Sequence, residues 1–252
     1  MKLIILAAGL GSRLGKLGKN IPKGMITIFG KTLIERQIEI FHNCGINDIT
    51  IITGHNSEVI KYSNVDYIKN PNYATTNMNE SLFCAREKFD DSILVSYADI
   101  VFEQQIIEQI LKFRQDIGVA INLDWKKNYE NRTKHPLSEA ENVLIENRRI
   151  LEIRKNISKS LENQQIGEFL GIMLLFPDQI KILLERYLDL KKNHVGEFHS
   201  SSSLSNAYLT DMLQEMIDCG ATVKPVFIEG KWFEIDTPED LKNAEKEFEE
   251  RD

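Results

Sequence analysis

An α/β fold, with a mixed and mainly parallel sheet flanked by helices, is predicted by three observations. Short apolar runs alternate with amphipathic stretches along most of the 252 residues. The first run opens directly into a glycine-rich turn, and a later central run ends on Asp99. In parallel sheets functional groups gather at the carboxyl ends of strands, where both of these features stand.

Residues 3–6 are an apolar strand closed by Ala7-Ala8-Gly9-Leu10-Gly11. Residues 32–43 carry Leu33, Ile34, Ile38 and Phe41 at helical spacing, and Cys44-Gly45 stops them. Strands follow at 49–52 and 65–68, then a helix at 81–89 and a strand at 93–95 running into Tyr97-Ala98-Asp99. A helix at 106–113 and a strand at 119–123 continue the alternation. Residues 124–141 are polar and aromatic, an insertion rather than core. Strands are expected at 143–145, 150–153 and 169–176, helices at 179–192 and 205–219, a strand at 222–228 and a helix from Pro238. With no repeat, linker or charge block, residues 1–252 read as one domain with an embedded insertion at 124–141.

Composition excludes several functions. The 42% hydrophobic content provides material for a core, while a formal net charge of −7 argues against a general affinity for nucleic acid or an anionic membrane. No stretch approaches the ~20 apolar residues of a membrane span. Cys44, Cys84 and Cys219 are scattered and without CxxC spacing, so neither a disulfide framework nor a zinc site is indicated. Reduced thiols and the absence of a leader pattern after Met1 make the cytoplasm the expected location.

A glycine turn after a first strand presents backbone N–H groups to phosphate. Leu14 stands where the dinucleotide fingerprint needs a third glycine or alanine, and the second strand ends in Thr53-Gly54-His55 rather than an acid. Gly15-Lys16-Leu17 does not make a P-loop either. Instead, Ala7-Ala8-Gly9-Leu10-Gly11-Ser12-Arg13 is followed nine residues later by Pro22-Lys23. This resembles the signature of the sugar-phosphate and small-molecule nucleotidyltransferases, and implies their Rossmann-like, nucleotide-diphospho-sugar transferase type of fold. Lys16-Leu17-Gly18 departs from the Pro-x-Thr segment of many such proteins.

The chemistry explains the pattern. Attack at the α-phosphorus of a nucleoside triphosphate expels pyrophosphate, so cationic groups must face the developing charge. Arg13 suits the β- and γ-phosphates, and Lys23 suits a phosphate as a point charge. The plainer reading of the turn alone is two solvent-facing cations. Ala7, Ala8, Gly9, Gly11 and Ser12 are the expected phosphate-side nucleotide contacts.

The resemblance further implies that Asp99 and a second aspartate near the C-terminus hold Mg²⁺. Asp236, in Trp232-Phe233-Glu234-Ile235-Asp236-Thr237-Pro238, fits that position, and Thr237 is available to cap the following helix in its place. Residues 75–82 match the segment that forms the base pocket, where Asn77, Glu80 and Ser81 face two readings, base contact and helix capping.

The chain is most similar to bacterial phosphocholine and 2-aminoethylphosphonate-type cytidylyltransferases, which implies CTP. For the acceptor, residues 124–141 offer Arg132, Lys134 and His135, with Trp125 and Tyr129 for a cationic amine. Glu168 and Gly171 are expected to contact it from a later strand. A polar surface loop is the alternative for the insertion.

The expected reaction joins CMP to a small phospho- or phosphonate compound such as phosphocholine, 2-aminoethylphosphonate or phosphoglutamine, for surface polysaccharide or lipid decoration. A hexose 1-phosphate nucleotidyltransferase using UTP or dTTP and a non-catalytic nucleotide sensor are the alternatives. Oligomeric state is open, a homodimer included.

Overall fold

The computed structural model describes residues 1–9, 11, 14, 21–130 and 132–249. Ser12 and Arg13, both expected at the site, lie outside them. The strands are β1 (Lys2–Ala7), β2 (Thr27–Ile28), β3 (Lys31–Thr32), β4 (Asp48–Thr53), β5 (Asp66–Lys69), β6 (Ile93–Tyr97) and β7 (Ile100–Phe102). They continue with β8 (Ile117–Asn122), β9 (Glu141–Glu146), β10 (Arg149–Lys155), β11 (Gln165–Leu175), β12 (Val223–Phe227) and β13 (Trp232–Glu234). The helices are α1 (Leu33–Asn43), α2 (Met78–Cys84), α3 (Gln104–Ile110), α4 (Pro177–Asn193), α5 (Leu209–Asp218) and α6 (Pro238–Phe248).

The main sheet runs in the order β10-β9-β11-β6-β1-β4-β5, with β8 paired to β11 and β12 to β8. Its β6-β1-β4-β5 part is parallel; β6, β1 and β4 read as apolar runs because they are buried, while β5 is a largely exposed edge strand. Antiparallel pairing enters where β11 meets β6, β8 and β9. Helix α1 starts where predicted because Thr32 and Glu35 make a capping box: Thr32 Oγ1 accepts from Glu35 N at 3.0 Å, and Glu35 Oε2 accepts from Thr32 N at 3.3 Å. Leu33, Ile34, Ile38 and Phe41 then face inward.

Two expected helices are shorter than their apolar pattern. The 81–89 helix spans Met78–Cys84, with a separate 3₁₀ turn at Arg86–Lys88. The 205–219 helix begins at Leu209, after a 3₁₀ turn at Leu204–Asn206. The pairing of β13 with β7 is a long-range feature with no local signature, and it does the most to build the site. Ile235 N donates to Asp99 O at 2.8 Å, so the last turn before α6 is tied to the end of the β6 region.

Residues 124–141 are not an uncommitted loop. Trp125, Tyr129 and Ala140 form a small core with Ile166, and Arg132 and Thr133 hold the segment to α6. Gly171 has φ +78° at the bulge in β11, and a Cβ there would run into the Tyr97 ring. This corrects its expected role: Gly171 bends the strand and lets it pack on Tyr97, and it does not line the cavity. Gly171→Ala is expected to cost about 1–3 kcal/mol from backbone strain alone, before the ring clash. Thermal unfolding measures this, and an unchanged midpoint would refute the constraint. Among the described residues no helix is long and apolar enough to cross a membrane.

Candidate functional site

A cavity of about 480 Å³ opens along the carboxyl ends of β1 and β6. Ala7, Ala8, Gly9 and Gly11 line one side, as the glycine turn predicts. Gly11 has φ +64°, and a Cβ there would lie 3.2 Å from Lys23 Cγ. A side chain at 11 would therefore be strained and would crowd the lysine.

Lys23 sits at the centre. It follows Pro22, whose extended conformation (φ −60°, ψ 150°) leads into a 3₁₀ turn at Lys23–Met25. Its Nζ lies 2.9 Å from Asp99 Oδ2 and also binds Asp236 Oδ1. Burial by itself would lower the ammonium's pKa, but Asp99, Asp236 and Glu234 outweigh it and the net shift is upward. The two aspartates predicted from opposite ends of the chain thus converge on one cation.

Asp236 is fully buried, and the helix start beside it is managed by other groups. Asp240 Oδ2 accepts from Thr237 N at 2.8 Å, and Thr237 Oγ1 accepts from Asp240 N at 3.2 Å. That capping box leaves the Asp236 carboxylate for the cavity, as expected. His135 Nδ1 lies 3.4 Å from Asp236 Oδ2, and its Nε2 3.7 Å from Glu234 Oε2.

At the predicted base side, Asn77 and Ser81 line the cavity. Asn77 is also the cap of α2, its Oδ1 accepting from Met78 N at 2.9 Å, so capping and cavity exposure coexist. Ser81 Oγ accepts from Asn70 Nδ2 at 3.0 Å and donates to Asn77 O at 3.3 Å. Glu80 is corrected: its Oε1 accepts from the Tyr187 hydroxyl at 2.9 Å and from Lys191 Nζ at 3.0 Å. It ties α2 to α4 and does not line the cavity, because neighbouring positions on a helix face different sides.

The expected acceptor set divides. His135 and Glu168 line the cavity. Trp125 and Tyr129 do not; both are buried, the Trp125 Nε1 donating to Ile166 O at 3.2 Å and the Tyr129 hydroxyl to Glu168 Oε1. Arg132 is corrected as well. Its Nε donates to Asp240 Oδ1 at 2.7 Å and its guanidinium stacks 4.8 Å from the Tyr129 ring centre, so it holds the insertion in place. Lys134 is outside the cavity lining, and its backbone N donates to Glu239 Oε2 at 3.1 Å. The insertion serves as a wall in which Trp125, Tyr129 and Arg132 pack upon each other, while Lys126, Lys127 and Lys134 are exposed.

The remaining polar residues of this wall come from the end of the insertion and from the strands after it. Lys155, at the end of β10, lines the cavity, 2.9 Å from Glu139 and over the Tyr208 ring at 4.6 Å. Glu141 accepts from the Tyr97 hydroxyl at 3.1 Å. Burial and then the Glu234 charge push Glu141 up to about 8. Burial also pushes Glu168 up to about 8, against the opposing hydrogen bond from Tyr129. Glu234, next to Asp236 and Asp99, is raised by burial and by those charges. One signal for Trp232 and Glu234 was present in the sequence: with Asp236 they alternate at period two, the spacing of one strand face. Lys155 and Glu141 had no comparable local mark.

Residues 3–168 match the MobA-like NTP transferase domain. The chain is 31% identical over 261 residues to CTP:phosphoglutamine cytidylyltransferase of Campylobacter jejuni, covering 96% of this chain and 98% of that one. It is 37% identical over 121 residues to choline-phosphate cytidylyltransferase of Streptococcus pneumoniae, covering 46% of this chain and 50% of that one. Among solved structures, CTP:phosphocholine cytidylyltransferase from Streptococcus pneumoniae aligns with a TM-score of 0.72 at 24% identity, over 98% of this chain and 99% of that one. The inositol-1-phosphate CTP transferase from T. maritima aligns with a TM-score of 0.69 at 20% identity, over 98% and 96%. These structures share the mixed sheet flanked by helices. By the extent of these matches, the chain belongs to the MobA-like NTP transferase family and is a nucleotidyltransferase.

Proposed function

We propose that residues 1–252 act as one cytidylyltransferase domain, joining CMP from CTP to a small phosphorylated or phosphonate acceptor with release of pyrophosphate. The observation that carries this is Lys23 held between Asp99 and Asp236 at the centre of a cavity with a glycine turn along one side. Full-length similarity to a CTP-dependent relative supports the nucleotide and the small acceptor.

Lys23 stands as a point charge for the transferring phosphate. The backbone of Ala7, Ala8, Gly9 and Gly11 lies against the nucleotide phosphates, and Asn77 and Ser81 face the base. Arg13 keeps its expected role toward the β- and γ-phosphates. Asp99 and Asp236 already bracket a positive group, and hard carboxylate oxygens of this kind fit Mg²⁺. Mg²⁺ held by them would supply charge neutralisation to the triphosphate.

Lys155 holds the acceptor's phosphate, since Lys23 and Lys155 are the lysines lining the cavity among the described residues. An acceptor oxygen bonds to the α-phosphorus while the bridging α–β P–O bond breaks, its electron pair leaving with pyrophosphate. That oxygen is already ionised near neutral pH, so the site needs positioning and electrostatics rather than a general base. The thiols of Cys44, Cys84 and Cys219 are free, in keeping with a cytoplasmic reaction that supplies surface polysaccharide or lipid decoration.

Pyrophosphate release with Mg²⁺, across the four nucleoside triphosphates and a panel of small phospho-compounds, tests the reading. CTP is expected to be used with a nitrogen-bearing acceptor; use of UTP or dTTP with a hexose 1-phosphate would replace it. Lys155→Ala is expected to raise the acceptor KM about 10- to 100-fold, the loss of one charged hydrogen bond, with little change for CTP. A rise confined to the CTP KM would move Lys155 to the nucleotide side.

A further inference from the structure

The cavity wall holds two buried polar atoms, on Glu168 and Trp232, that have no hydrogen-bond partner among the described residues. Glu168 is 3% exposed; the Tyr129 hydroxyl donates to its Oε1, and its Oε2 has no hydrogen-bond partner among the described residues. Trp232 is 5% exposed, and its Nε1–H has none either. Both side chains line the cavity. They share one cavity, which Glu234, two residues from Trp232 on β13, also lines.

Buried polar groups in folded proteins are almost always satisfied, and leaving one unpaired costs about 1–3 kcal/mol. Burial favours the neutral form of Glu168, and a cationic N–H brought to Oε2 would hold it as the carboxylate, so the ionised acid and the indole N–H together describe the complement of a ligand that carries both an N–H and an oxygen. Neither atom is needed by the fold. The Tyr129 bond already orients the Glu168 carboxylate, and the β7 pairing already holds the Trp232 backbone.

We propose that this wall selects phosphorylated acceptors of the amino acid type, with an N–H group on Glu168 Oε2 and a carboxylate or carbonyl oxygen on Trp232 Nε1. The inference rests on the cytidylyltransferase reading and narrows its acceptor. A quaternary ammonium has no N–H, so its methyl groups would bury Oε2 without a partner. A site built to hydrogen-bond its substrate rejects the analogue lacking that group far more strongly than an apolar pocket rejects a missing methylene. Trp232 and Glu168 are therefore specificity residues, and Lys155 is left to the phosphate.

Three acceptors that differ by one group test this: O-phosphoserine, O-phosphoethanolamine and phosphocholine. The first two differ by a carboxylate, the last two by N-methylation. The readout is kcat/KM for CMP transfer from CTP by the wild type, Trp232→Phe and Glu168→Gln. The wild type is expected to rank them in that order, each step about tenfold or more, the worth of one buried hydrogen bond. Trp232→Phe keeps the ring and loses the donor, so it should shrink the first step to about threefold or less while leaving the second. Glu168→Gln should shrink the second in the same way. General loosening of the pocket would lower all three acceptors together and move neither ratio.

Equal use of phosphoethanolamine and phosphocholine by the wild type, or ratios unmoved in both variants, overturns the inference and leaves the cytidylyltransferase standing. Transfer to a different class, such as a sugar 1-phosphate, with none to these three does the same. No CMP transfer from CTP to any phospho-compound overturns both.

Discussion

Asp236→Asn is expected to lower turnover about 10³-fold or more, equivalent to about 4 kcal/mol of transition-state stabilisation. The side chain keeps its size and loses the charge that faces Lys23 from a fully buried position. The carboxylate also belongs to the pair whose oxygens fit a divalent cation, so the variant should need far more Mg²⁺ for its residual activity. Pyrophosphate release over a Mg²⁺ titration measures both effects. The Thr237–Asp240 capping box does not use the Asp236 side chain, so the start of α6 should survive, and Lys23 keeps Asp99 as a partner. Activity within tenfold of the wild type would remove Asp236 from the reacting centre.

Arg132→Met is expected to act on stability rather than on the acceptor. Arg132 and Asp240 form a pair whose side chains are 2% and 0% exposed. Burial would raise the Asp240 pKa, but nearby His135, the Arg132 hydrogen bond and charge, and the Thr237 bond outweigh it and hold the carboxyl well below its usual range. Removing one member of such a pair leaves an uncompensated buried charge and costs about 3–5 kcal/mol. For a chain of this size, about 2–4 °C per kcal/mol translates that into a midpoint lowered by roughly 6–20 °C. Arg132→Met with Asp240→Asn should recover part of the loss, since the stranded charge is then gone. A raised acceptor KM with an unchanged midpoint would instead return Arg132 to the acceptor role that its place in a polar insertion suggested.

The contrast between these two residues shows where local sequence was informative. Asp236 was legible because residues 232–238 resemble the closing motif of the nucleotidyltransferases, and because Thr237 is available to cap the following helix in its place. Arg132 was misread because an arginine among aromatics and polar residues has the same local appearance whether it meets a ligand or a buried aspartate. Its partner lies 108 residues away on α6. Glu80 was misread for a related reason. Its helix was recognised, but the face it presents to Tyr187 and Lys191 depends on where α4 packs.

By itself, the sequence pointed to the alternation of buried strands and amphipathic helices, the glycine turn that lines the cavity, Lys23 and the two aspartates. The alternation is encoded by periodicity, and the turn, Lys23 and the aspartates by short motifs that resemble those of the nucleotidyltransferases. Only the tertiary structure decided the acceptor side. Lys155, Glu141 and Trp232 lie on three separate strands, and the pairings of β9, β10 and β11 and of β13 with β7 bring them to one cavity with Glu168, which the resemblance had already implied. The tertiary structure also turned Gly171 into a packing requirement, because what a missing Cβ makes room for is a ring on another strand. Register between distant strands is fixed by which apolar faces meet, and a local window of sequence does not contain the partner face.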